Sequence, residues 1–190
     1  MGLTAGSGFI CVSPGFLLLS AAVYFFGGGS ALTALFTAAL AHEAGHMTAI
    51  WLTGAHIRRI RLTAAGLAID YGGLLTRRQE MGIAAAGPAA GLLFAGSCFL
   101  TDMRYFVYAG AIAMLAAMFN LMPVLPLDGG RLAWYALSAA LPERTAAVVL
   151  RVLGSICAAG VAATGIRMRS PAAAAAGIWL LVLANTRDLR

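Results

Sequence analysis

"ALAHEAGHMTAIWL", residues 39–52, is apolar enough for a membrane interior, yet it carries two histidines and a glutamate within a turn and a half of helix. His42 and His46 stand four residues apart, so on an α-helix both imidazoles project from one face and can grip a single ion. Glu43 lies beside the first of them. It can reach a water on that ion without taking a ligand position, which is the place of a general base.

The surrounding chain sets the weight of this pattern. Of 190 residues, 61% are hydrophobic and only 11% charged, and the mean hydropathy is +0.87, outside the range of a soluble domain. The composition is that of a membrane protein. Apolar stretches near the roughly 20 residues that cross about 30 Å of hydrocarbon recur to the end of the sequence, so none is merely a cleaved signal. The expected fold is an all-α membrane protein with about six transmembrane helices, at residues 9–26, 30–53, 81–100, 105–125, 145–166 and 171–185. The Gly-rich "GGGS" between the first two forces an antiparallel helical hairpin. The 54–80 loop, with aliphatic and β-branched residues around "TAAG", is expected to form a small surface β-hairpin between the second and third spans. Residues 1–190 are expected to be a single polytopic domain. Cys11, Cys98 and Cys157 are scattered among apolar stretches and read as small buried hydrophobes rather than a disulfide framework.

A charge near the bilayer centre costs on the order of 2.5 to 3.5 kcal/mol or more, and an ionisable residue inside a span is a functional signal. The bland reading is a pair of satisfied core histidines with a snorkelling glutamate. His42, however, is twelve residues in from Ser30, too deep for that.

Two histidines leave a catalytic zinc one protein ligand short of three. The candidate third is Asp128, in "NLMPVLPLDGGR"; an interfacial turn residue ahead of two glycines is the alternative. Pro123 and Pro126 interrupt any helix there, and broken backbone at membrane depth is tolerated where it lines a protein or water cavity. With alternating spans, the N-terminus, the 54–80 loop, the 126–144 connection and the C-terminus share one face. That face holds Arg58, Arg59, Arg61, Arg77, Arg78, Arg131, Arg144, Arg187 and Arg190, against Arg104, Arg167 and Arg169 opposite. Nine against three marks it as cytoplasmic. The second and fourth spans then both run toward it, delivering His46 and Asp128 to similar depth in the cytoplasmic half, with water entering from that side. His56, just beyond the second span, reads as a solvated loop residue. The net charge of +6 follows this arginine placement, and no nucleic-acid partner is expected.

"HEAGH" followed by "NLMPVLPLDGG" resembles the site-2 protease family of intramembrane zinc metalloproteases. The resemblance covers roughly residues 39–141. It implies one Zn2+ per chain held by His42, His46 and Asp128, with Glu43 activating water. It also implies that Asn120 helps hold the substrate backbone or an oxyanion, although a helix–helix hydrogen bond is nearly as good a reading of that residue. Gly87 and Pro88, in "AAAGPAAG", look like the family's Gly-Pro element and become candidate substrate-binding residues. Family members often have Asn three residues after that proline; Gly91 stands there, which weakens that role and leaves Gly87 and Gly91 as a GxxxG for close packing.

Within the family, "AHEAGHMTAIWLTGAHIRRIRL" and "PLDGGRLAWYALSAALPERTA" look most like the sporulation branch. That likeness implies a membrane-tethered pro-sigma factor of a spore-forming bacterium as substrate, with membrane inhibitor or regulator proteins as possible partners. Neither a PDZ nor a CBS domain is expected. Two other readings remain: a zinc transporter, and an inactive homologue that only binds a membrane segment. A transporter should carry further acids or histidines along a path across the membrane, and Asp70, Glu80, Asp102, Glu143 and Asp188 all fall in loops or at ends.

Overall fold

The computed structural model describes residues 9–63 and 66–186. Its elements run β1 (Ile10–Val12), α1 (Pro14–Leu52), β2 (His56–Thr63), β3 (Gly66–Gly72), α2 (Arg77–Phe99), α3 (Arg104–Asn120), α4 (Asp128–Ala140), α5 (Glu143–Arg167) and α6 (Pro171–Thr186). The chain is mostly helical with one small sheet, as its composition and patterning predict. Contacts divide it into two compact units, Met1–Ala117 and Met118–Arg190.

In the first unit, α1 begins where Ser13 caps it, its Oγ accepting from the Phe16 N–H at 3.2 Å, with Pro14 in the first turn. The helix is two arms. Gly28, at φ 73° and ψ −177°, breaks it, and the rings of Phe16 and Phe36 meet with centroids 5.8 Å apart. A straight helix would separate residues so spaced by about 30 Å, so the chain folds back at the Gly-rich link. Among the described residues, three helices are long and apolar enough to cross a membrane, namely α1, α2 and α5, and α6 is a shorter apolar helix. The six expected spans map onto α1 (the first two), α2, α3, α5 and α6.

The N-terminal boundary of the first span differs from expectation. Residues 10–12 are a strand, parallel to β2: the Ile60 N–H donates to the Phe9 carbonyl and the Ser13 N–H to the Leu62 carbonyl, both at 2.8 Å. Pro14 disfavours helical geometry at the residue before it and so delays the helix. The expected hairpin is present as antiparallel β2 and β3, and β1 makes it a three-stranded sheet in the order β1-β2-β3. α2 starts ahead of the expected residue 81 because Thr76 and Gln79 form a reciprocal capping box.

The second arm of α1, α2 and α3 meet through small residues, with Ala38, Ala95 and Ala113 forming a buried cluster. Large apolar side chains point outward instead, among them Leu18 at 73% and Phe26 at 87% exposure. This inversion suits lipid. Between helices in hydrocarbon there is no hydrophobic driving force, and close backbone approach replaces it.

The second unit packs α5 against α6 around Val124, Leu127, Ala158 and Leu180. Residues 126–144, expected as a connection, contain the helix α4. Of the three cysteines only Cys98 is buried; Cys11 is intermediate and Cys157 exposed, and all are free thiols. Cys157 sits among the outward-facing residues of an apolar helix, where a small hydrophobe is as well placed as in a core.

The Gly28 conformation belongs to a region that essentially only glycine adopts. Replacing it with alanine should cost about 1–3 kcal/mol and lower the thermal midpoint of the detergent-solubilised protein. Gly29→Ala, with nothing within 4 Å of a new Cβ, should leave the midpoint near that of the native chain.

Candidate metal centre

HEAGH lies in the second arm of α1, and the structure brings its two histidines together. Both are buried. Their Nε2 atoms are 3.1 Å apart, and the rings meet edge to face with centroids 4.8 Å apart. His46 Nδ1 lies 2.8 Å from the carbonyl oxygen of Ile83 on α2. A carbonyl only accepts, so Nδ1 donates, and the neutral ring carries its lone pair on Nε2, facing His42. Fixing one nitrogen this way is how a protein aims the other at a metal.

The ring reaches that carbonyl because α2 has no side chain in the way. A Cβ at Gly87 would collide with Nε2, Cε1 and Cδ2 of His46, and one at Gly45 would collide with the Ala86 carbonyl. Gly87 is buried along with Pro88. Gly87, proposed from the motif as a substrate contact, therefore lies against a histidine of the site. A Cβ at Gly91 would meet Ala117 Cβ at 3.5 Å and His42 Nδ1 at 3.8 Å, ordinary packing distances. Glu43 is half-buried on the same helix, one position from His42.

In the second unit, Asp128 is the first residue of α4 and is buried. A carboxylate there complements the positive end of the helix dipole. The approach to it is irregular, as Pro123 and Pro126 require: the Val124 N–H donates to the Met122 carbonyl at 2.7 Å and the Leu127 N–H to the Val124 carbonyl at 2.8 Å. The 125–126 bond is cis. The glycines after Asp128 let this turn fold onto α4, since a Cβ at Gly129 would overlap the Leu121 carbonyl and one at Gly130 the Val124 carbonyl carbon. Asn120 is the last residue of α3 and half-buried.

The first unit offers the buried imidazoles of His42 and His46, and the second offers the buried carboxylate of Asp128. Two imidazole nitrogens and a carboxylate oxygen are a donor set that zinc takes at sites keeping a position open for water. The residues present fit the ion that the motif implies.

The fold is that of a site-2 protease. Over 100% of this chain and 97% of the other, it matches the site-2 protease from Methanocaldococcus jannaschii with a TM-score of 0.72 and 17% sequence identity. In sequence, the model of peptidase family M50 matches residues 103–160, the stretch that contains Asn120 and Asp128. A Synechocystis protein named "Putative zinc metalloprotease sll0528" is 35% identical over 106 residues, covering 50% of this chain. The chain spans 28% of that relative's length. Fold and sequence thus support the site-2 protease resemblance read from HEAGH and PLDGG.

Two contributors escape the sequence reading. The Ile83 carbonyl is main chain and leaves no residue-type signal. Gly45 does leave one, a glycine inside HEAGH facing the "AGP" of α2, but its meaning depends on knowing that these helices pack.

Gly87→Ala should push the His46 ring off the Ile83 carbonyl. Loss of such an outer contact typically weakens metal binding about 10- to 100-fold, measurable by zinc competition with a chelator. Gly91→Ala should bind zinc as the native chain does.

Proposed function

We propose that this chain is an intramembrane zinc metalloendopeptidase that hydrolyses a peptide bond in or near a membrane-associated segment. The observation that carries this reading is the buried imidazole pair, with Nε2 atoms 3.1 Å apart and one ring fixed through Nδ1, on the helix that also carries half-buried Glu43 next to His42. His42, His46 and Asp128 would hold one zinc ion, which, when bound, lowers the pKa of a water and polarises a carbonyl oxygen. Glu43 takes a proton on its carboxylate and returns it to the departing amine. Asn120 is the proposed donor to the substrate backbone or oxyanion, through its side-chain amide.

A substrate helix hides its carbonyls in its own hydrogen bonds, so it must unwind before it is cut. An extended segment can be held by strand addition to the sheet. The β2 edge is taken by β1, which leaves β3. Because Ile60 N–H and Leu62 C=O point to β1, their antiparallel partners Ile69 and Leu67 turn their own N–H and C=O groups away from β2. Those groups form the acceptor edge.

The finer reading is a membrane-tethered pro-sigma factor in a spore-forming bacterium, under membrane inhibitor or regulator proteins. It rests on the likeness of residues 41–62 and 126–146 to the sporulation branch. The arginine distribution supports a multi-pass topology with both termini cytoplasmic and the site in the cytoplasmic half of the bilayer.

Two measurements test this. With a membrane-tethered precursor co-expressed, Glu43→Gln should reduce cleavage by about 10²–10⁴-fold while zinc stays bound, whereas His46→Ala or Asp128→Asn should lose the metal. Zinc lost from Glu43→Gln would instead make Glu43 a ligand and favour transport. Ile69→Pro removes an outward N–H without breaking the β2–β3 ladder and should slow cleavage, with Ile69→Ala close to native; equal rates for the two would remove β3 from the account of substrate binding.

A further inference from the structure

The sheet is two-faced, and its register shows how. Paired residues on neighbouring strands share a face. Ile10 pairs with Ile60 and Ile60 with Ile69, while Val12 pairs with Leu62 and Leu62 with Leu67. These make two apolar rows on one face. The opposite face carries Cys11, Arg61 and Ala68 in one row and Arg59 and Asp70 in the next, tied diagonally by the Arg61–Asp70 ion pair at 2.8 Å. The rows are open at their β1 end, where Ile10 is 60% and Val12 44% exposed, while Ile60, Leu62, Leu67 and Ile69 are half-buried.

We propose that this sheet is an anionic-lipid seat, with the Ile10–Ile60–Ile69 face resting on acyl chains and the arginines around it binding phosphate headgroups. Three observations select lipid as the occupant. First, the open β1 end of the apolar face leads directly into the exposed apolar residues of α1. Only Ser13 separates β1 from that helix, whose first arm exposes Leu17 at 60% and Leu18 at 73%. Second, the other end of α1 presents Trp51 and Leu52, both more than 70% exposed, a few residues before β2. An exposed Trp at the end of a span is an interfacial anchor. Third, Arg58, Arg59, Arg77 and Arg78 are all exposed and lie on the sheet or within six residues of the end of β3. Arg58 occupies the bulge between Ile57 and Arg59 and lies across β3 at Gly72, where a Cβ would collide with it. It sits 3.5 Å from His56 Nε2. Apolar area on one side and cationic groups around it match a membrane surface carrying anionic lipid.

The experiment reads lipid rather than proteolysis, so its outcome is independent of the zinc site. The full-length chain, with its three cysteines replaced, receives a fluorophore at Ile10→Cys or at Arg59→Cys. It is reconstituted into phosphatidylcholine vesicles with or without phosphatidylglycerol. The Ile10 probe should be quenched by lipid-borne nitroxide and shielded from aqueous iodide, and the Arg59 probe should show the reverse. Spin-labelled phosphatidylglycerol should associate with the native chain in preference to spin-labelled phosphatidylcholine. That preference should fall about fivefold for each of Arg58→Gln and Arg77→Gln and survive Arg58→Lys, which keeps the charge. Iodide quenching at Ile10, equal association of the two lipids, or Ile10 probes that report a neighbouring copy of the chain instead of lipid would each overturn the proposal.

Discussion

A polar side chain in hydrocarbon has no water to turn to, so its partners must be built into the protein. His46 meets this demand at Nδ1 through the Ile83 carbonyl, 2.8 Å away. Much of the first unit follows from it. The bond spans two helices, so their backbones must come close enough for an imidazole to touch a main-chain oxygen. That approach excludes side chains at Gly45 and Gly87 and favours the alanines buried along the same faces. Aligning the ring then fixes which nitrogen faces His42. A helix pair that packed on leucines would hold its axes too far apart to make the bond.

The same accounting explains why the chemistry of the site was legible before its mechanics. Ionisable residues in an apolar stretch are expensive enough to stand out, and the four-residue spacing of His42 and His46 needs only a helix to have meaning. The turn at the Gly-rich link was legible because glycine alone relieves the strain at residue 28. The helix α4 was not. "LAWYALSAAL" follows two glycines and two prolines, and turn residues mask a helix that starts immediately after them. The strand β1 was hidden for a related reason: "FICV" is as apolar as the helix that follows, and only Pro14 signals that the two differ. The Ile83 carbonyl belongs to no residue type and could be found only in three dimensions.

The outward placement of large side chains and the inward placement of small ones is the reverse of a soluble protein. It also explains the cysteines. In a soluble fold a scattered free cysteine is usually buried, which predicts an interior position for all three; where the outer surface is itself apolar, Cys157 loses nothing by facing it.

Lipid seating and strand addition use different parts of one sheet and so do not compete. Side chains project above and below a sheet, while unpaired N–H and C=O groups lie in its plane. If the Ile60 face rests on acyl chains, the edge formed by Leu67 and Ile69 lies parallel to the membrane, at the depth where a substrate helix emerges from hydrocarbon. There, unwinding exposes backbone groups that each cost several kcal/mol when unsatisfied in lipid. An edge at that depth offers them partners as fast as the helix gives them up. The register of β2 with β3 turns Leu67 and Ile69 outward, and β1, the strand least visible in the sequence, fills the other edge and leaves theirs as the one that would receive the substrate.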